Sequence, residues 1–396
     1  TGDYNTAVGR NSLSSITTTD GHTAIGYNAL ANNATGLYNC AVGFEAAHDS
    51  TDKNQLTAIG YKALHVADGH ANTAVGFEAM GVGSATGGYS TAVGRQSLRT
   101  VIGGNNAALG YASGYNLTTG TDNTLIGSNA GLSLTTASYN VAIGREALYT
   151  EDEQGSLVAV GRRAMYLHNG GVRNTALGHG AMYNNVNGGS NTAVGYYSLY
   201  NNLGDANTGC GNDTLYSNTT GEKNTALGNE ALENNTTANH NTAVGHHALT
   251  SNTAAYNTAV GSQAAEDITT GQMNTIMGYN CAPQLTTTSE NVVIGSGCCS
   301  NSGSTTFSTS VIVGCDAVQG AAYTGSSNTI IGRQAAYSLT SGSNNSCLGA
   351  GSGNSSSPSG NIGTGSNTIC LGDNNITALF CADTSISSSD ERDKAD

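Results

Sequence analysis

Apart from scattered carboxylates, the side chains able to do chemistry in this 396-residue chain form three sparse sets. Of the nine cysteines, Cys40, Cys210, Cys281, Cys298, Cys299, Cys315, Cys347 and Cys370 fall within the repeats, with no CxxC pair that would suggest a zinc site or a redox motif. They occupy positions otherwise held by small or apolar residues, so they are expected to be small packed thiols rather than disulfides or metal ligands. His240, His246 and His247 are the densest histidine group. Read as strand neighbours, His246 and His247 point to opposite faces, so a solvated surface is expected and no metal site is assigned. Carboxylates recur singly, with no nucleophile beside a base and an orienting group. Enzyme chemistry is therefore not expected within the repeats, unless carboxylates from separate chains meet as a glycosidase pair.

The third set is a column of rings and guanidiniums: Tyr27, Phe44, Tyr61, Phe77, Tyr111, Tyr196 and Tyr279, interspersed with Arg10, Arg95, Arg145, Arg162 and Arg333. Stacked at strand spacing, these would form a ladder held by packing and cation–π contacts. Exposed rings also stack on sugar faces, so the seven aromatics are candidate receptor- or glycan-binding residues.

What places them in a column is an internal repeat. A pentad like Asn-Thr-Ala-Val-Gly recurs with its glycine at Gly9, Gly26, Gly43 and Gly60, onward to Gly332, Gly349 and Gly372. Nearly every step is 16 to 18 residues, up to a step of 19 at Gly314 and one of 23 at Gly372. Composition alone, with 55 glycines, no tryptophan and 37% hydrophobic residues, would suggest disorder. The strict phase of an aliphatic residue before each glycine argues for an ordered repeat fold.

Each unit reads as a short strand at the pentad, a corner at the glycine, a second apolar pair such as Ala29-Leu30 or Ala231-Leu232, and a polar turn such as Asn234–Asn239. The expected fold is all-β: a parallel β-roll or β-helix of about 17 residues per coil, with two short strands in each coil. Its 22 copies would make a rod roughly 100 Å long. Alternation puts Thr and Val on one face of the strand and Asn, Ala and Gly on the other. The expectation is that Val and Ile fill the coil, while the small Ala/Gly face lets other copies approach along a symmetry axis. The regular threonine column (Thr6, Thr23, Thr57, Thr73 and onward) raises ice binding, but on this assignment it points inward with Val.

A formal net charge of −14 gives no basic patch for a phosphate backbone, so nucleic acid is not an expected partner. No apolar run reaches membrane length. Thr1 lies inside a repeat, which suggests a fragment or a processed chain.

The NTAVG pentads, each followed by an Ala-Leu pair and an Asn/Gly turn, resemble the head repeats of trimeric autotransporter adhesins over about residues 5 to 350, although those heads use a shorter unit. This resemblance implies a left-handed roll wound as a homotrimer. The tail segment SDERDK, residues 389 to 394, resembles the junction of the intramolecular chaperone of phage tail spikes and fibres, including endosialidases. It implies self-cleavage, with Ser389 as the nucleophile and Lys394 as its base.

The expected organisation is a regular shaft over 1–299, irregular repeats over 300–376, a cap over 377–388 and the start of the chaperone over 389–396. The expected function is a viral or phage fibre, assembled in the host cytoplasm and carried on the virion, which partners two copies of itself and a host receptor or glycan. It needs no cofactor. The alternatives are a bacterial surface adhesin, a polysaccharide depolymerase tailspike and an ice-binding β-helix.

Overall fold

The computed structural model describes residues 2–376 except 67, 84–85, 151–154, 301–305, 321–322, 356, 358–359 and 374. The described residues contain no helix. Twenty-two strands of three residues each, from β1 (Thr6–Val8) to β22 (Ile369–Leu371), fall on the pentads. Every strand pairs in parallel with the next, pentad on pentad: Thr225 opposite Thr242, Ala226 opposite Ala243, Leu227 opposite Val244. The result is a β-solenoid with one strand per coil of about 17 residues.

The expected second strand is absent from the described residues. The apolar pair lies instead in a turn, and its leucine takes a left-handed backbone, φ 49° at Leu30 and 54° at Leu232. Such a conformation costs a non-glycine residue about 1–2 kcal/mol. Stacking offsets that cost: the Leu30 amide donates to the Ala46 carbonyl at 3.0 Å, and Leu232 to Ala248 at 3.1 Å. The leucine side chains are fully buried, each contributing roughly 1.5–3 kcal/mol.

The two strand faces are reversed relative to the sequence expectation. Alanines of the pentads, such as Ala24, Ala58, Ala142, Ala226 and Ala243, point inside and are fully buried, while the flanking threonines and aliphatics point outward. The reason is space. Where a leucine or methionine from the turn fills the narrow coil, the strand opposite has room for little more than a methyl group; where the turn carries Gly131, Ala282 or Ala336 instead, the inward strand residue is Leu125, Ile276 or Ile330. The threonine column consequently faces out, and so does a long aliphatic stripe: Leu109, Leu177 and Ile331 are 50%, 46% and 42% exposed.

The pentad asparagine shares the alanine face and is buried with it. From Asn174 to Asn291 these residues form an uninterrupted ladder in which each backbone N–H donates to the side-chain oxygen of the preceding asparagine. Except at Asn241, their side-chain amides cap turn carbonyls of the following coil, as Asn224 does to Ala238 at 2.8 Å. Each asparagine thus satisfies polar backbone groups in the interior that three-residue strands leave unpaired. Strand register survives the longer spacings near the end: Ser346 still opposes Ile369.

Candidate functional site: aromatic ladders on the coil surface

The glycine that ends each strand turns the chain so that its next residue projects outward, which builds the aromatic column. Tyr27, Phe44, Tyr61 and Phe77 stack with centroids 5.1, 5.3 and 5.0 Å apart and planes within 18° of parallel. Arg10 closes one end at 5.9 Å from Tyr27. Arg95 joins the other end to Tyr111, at 5.6 Å from Phe77 and 5.7 Å from Tyr111. Five of the candidate rings therefore form one ladder with two guanidiniums. Tyr196 belongs elsewhere, stacked on His179 at 5.3 Å, and Tyr279 sits between Ser262 and Ser296 in its column.

Stacking limits what the ladder can bind. Inside it, both faces of each ring are covered by neighbours, so the exposed parts are edges. Tyr279, 61% exposed and flanked by serines, is the candidate ring with faces left open to a sugar.

Two further sets of tyrosines were missed. Tyr149, Tyr166, Tyr183, Tyr200 and Tyr216 form a second stack at 4.9 to 5.1 Å, in the column five residues after the glycine. Their spacing is the repeat period, so the same phase analysis would have found them. Tyr38 and Tyr89 stand in a left-handed column five residues before the glycine, with φ of 59° and 63°. With Leu37, Asn54, Gln55 and His70 they line a depression of about 300 Å³.

Carboxylates two residues after the glycine are tied across coils. Glu78 accepts from Gln96 and Arg99, both at 3.0 Å. Glu146 is the most enclosed, paired with Arg163 at 2.6 Å and Arg145 at 2.9 Å. The Arg163 guanidinium holds the Glu146 carboxyl below the usual range, against the opposing effect of burial. A depressed folded-state pKa stabilises above the unfolded value of about 4.3 and is lost as pH falls through the folded one. Glu146→Gln should therefore lower stability at pH 7 by about 1 kcal/mol or less, since Arg145 is largely in solvent, and should converge with the parent in acid. Urea titrations at pH 7 and pH 3 check this.

His246 and His247 lie in the turn after Gly245 and not on a strand. Their rings consequently stack at 3.9 Å instead of pointing apart. His247 is held between Glu230 at 2.7 Å and Glu266 at 3.1 Å. Among the thiols, Cys281, Cys298, Cys299, Cys347 and Cys370 are buried, while Cys210 and Cys315 are exposed because their columns face out, so the packed-thiol expectation fails for these two. Ser389 and Lys394 lie outside the described residues.

Fold and surface together define a parallel β-solenoid repeat protein. The chain matches no protein-family model and no curated protein sequence.

Proposed function

We propose that three copies of this chain pack through the outward Thr/aliphatic stripe to form the shaft of a viral or phage fibre that attaches to a host surface. The observation that carries this reading is the stripe itself. Apolar side chains at one position of each coil, aliphatic except at Cys210 and Met277, stay partly in water along the ladder, a larger continuous apolar surface than a solitary soluble chain usually presents. The stripe is roughly 100 Å long and 10 Å wide, so it offers on the order of 1,000 Å² per copy. That exceeds the ~800 Å² per partner of a standard stable interface. A second copy has the same coil-to-coil rhythm, which lets each aliphatic meet its equivalent.

The resemblance to adhesin heads supports the trimer, and the tail resembling a chaperone junction favours a virus over a bacterial surface. Under that resemblance Ser389 attacks the carbonyl before it with Lys394 as base. Attachment would use the open ring of Tyr279 or the depression between Tyr38 and Tyr89.

A second reading draws on the same stripe. With threonines outward on the seven consecutive strands from Thr175–Leu177 to Thr275–Met277, a Thr/aliphatic array left free in a monomer has the kind of regularity that an ice lattice requires.

Light scattering separates the two. A threefold chain mass is expected for the parent, and Leu177→Glu with Val244→Glu should yield a folded single chain with an unchanged far-ultraviolet spectrum. A stable, folded parent monomer at low concentration would overturn the fibre reading. Thermal hysteresis in that monomer would establish the ice-binding one.

A further inference from the structure

We propose that His48, Asp49 and His65 form a binding site for a divalent transition-metal cation, zinc in the first instance. Their ligating atoms lie within 4.8 Å of one another, and among the described residues no other histidine, cysteine or carboxylate group of three converges in this way. His48 Nδ1 is 2.7 Å from one Asp49 oxygen, and His65 Nδ1 is 3.9 Å from the other. Ligands of a tetrahedral zinc, bound at about 2.0–2.1 Å, stand roughly 3.3 Å apart. The two distances straddle that value, so shifts of about half an ångström and a tilt of the rings, now stacked at 5.3 Å, would admit the ion. Both imidazoles are partly exposed, which leaves room for the tilt and for water as a further ligand.

The groups around the three ligands are those a metal site uses. His65 Nε2 faces Glu45 at 3.3 Å, so a proton carried there leaves the Nδ1 lone pair directed at the cluster. This carboxylate–histidine arrangement orients ligating imidazoles and raises their basicity. Glu45 is in turn paired with Lys62 at 3.4 Å, and Asp49 is fixed from the preceding coil by the Asn32 amide at 2.8 Å. Two imidazoles with one carboxylate suit zinc, copper or nickel, whereas calcium and magnesium want oxygen ligands. His247 supplies the contrast: like His65 it faces a carboxylate with each nitrogen, but no three ligand atoms converge there. A cation bound by His48, Asp49 and His65 would clip two neighbouring coils together.

The test is zinc titration against a chromophoric chelator, on the full chain carrying Cys40→Ser, Cys210→Ser, Cys315→Ser and Cys381→Ser so that thiols outside the buried set do not compete. One zinc per chain is expected, unchanged by excess calcium and by His247→Gln. His48→Gln with His65→Gln should weaken binding at least tenfold, with the fold verified by circular dichroism. Glu45→Gln leaves the three ligands in place and should weaken affinity about tenfold at unchanged stoichiometry. Should the double histidine variant not fold, the Glu45→Gln result decides. No zinc bound by the parent background, binding unaffected by either variant, or binding lost with His247→Gln would each overturn the site.

Discussion

Alanine at position 228 should destabilise the solenoid by roughly 3 kcal/mol or more, combining backbone strain with a clash. Gly228 has φ of +128°, and a methyl group there would stand 2.5 Å from the carbonyl oxygen of Gly245 in the next coil. Either fault alone would be met by a local adjustment. Together they oppose each other, because relaxing φ breaks the corner and moving the coil breaks the ladder. Gly189 is the control. Its backbone lies outside the left-handed region and an added Cβ would meet nothing closer than 3.3 Å, so Gly189→Ala should stay within about 1 kcal/mol of the parent. Urea unfolding measures both, and hydrogen exchange should show the Gly228→Ala loss concentrated in neighbouring coils, since repeat arrays are stabilised by nearest-neighbour contacts. Equal stability of the two variants would mean that the anchor stacking is wrong.

Asn224→Ala should cost about 1–3 kcal/mol, because it orphans a buried backbone donor. That donor is the Asn241 N–H, which now donates to the Asn224 side chain at 2.9 Å; the Ala238 carbonyl, which accepts from Asn224 at 2.8 Å, keeps the Asn235 amide at 3.1 Å. One residue further on, Thr225 faces outward, and Thr225→Ala should change coil stability by less than about 0.5 kcal/mol. The comparison of these adjacent positions reads the orientation of the strand directly. Similar losses at both, or a larger loss at Thr225, would contradict the buried asparagine ladder.

That orientation is where sequence reasoning fell short. The period, the strand at each pentad and the corner glycine were legible because each leaves a phase-locked residue type. Alternation also separated Thr and Val from Asn and Ala correctly. It does not say which set is inside, and hydrophobicity favoured Val. Asn224 and its equivalents held the missing clue: an amide repeated in most coils on the alanine face is of most use in a dry interior, where three-residue strands leave backbone groups to satisfy. The Tyr27 ladder was readable from its column, whereas the cluster of His48, Asp49 and His65 was not. Its members come from successive turns, and nothing in the spacing tells which ring nitrogens converge.

The uniform register has a consequence for how the chain finds its fold. If a strand such as Thr225–Leu227 paired with the coil after next, looping out a whole unit, every backbone, asparagine and alanine contact at the junction would re-form. The closure entropy of a 17-residue loop is only a weak penalty against such a skip. What such a skip would lose are the irregular columns. A Tyr27 displaced from Phe44 to Tyr61 keeps a partner, but an Arg95 displaced past Tyr111 meets Ser128, and Glu146 displaced past Arg163 meets His179 or Gly180. The identical positions make the coils interchangeable; the surface ladders act as index marks that break this translational degeneracy.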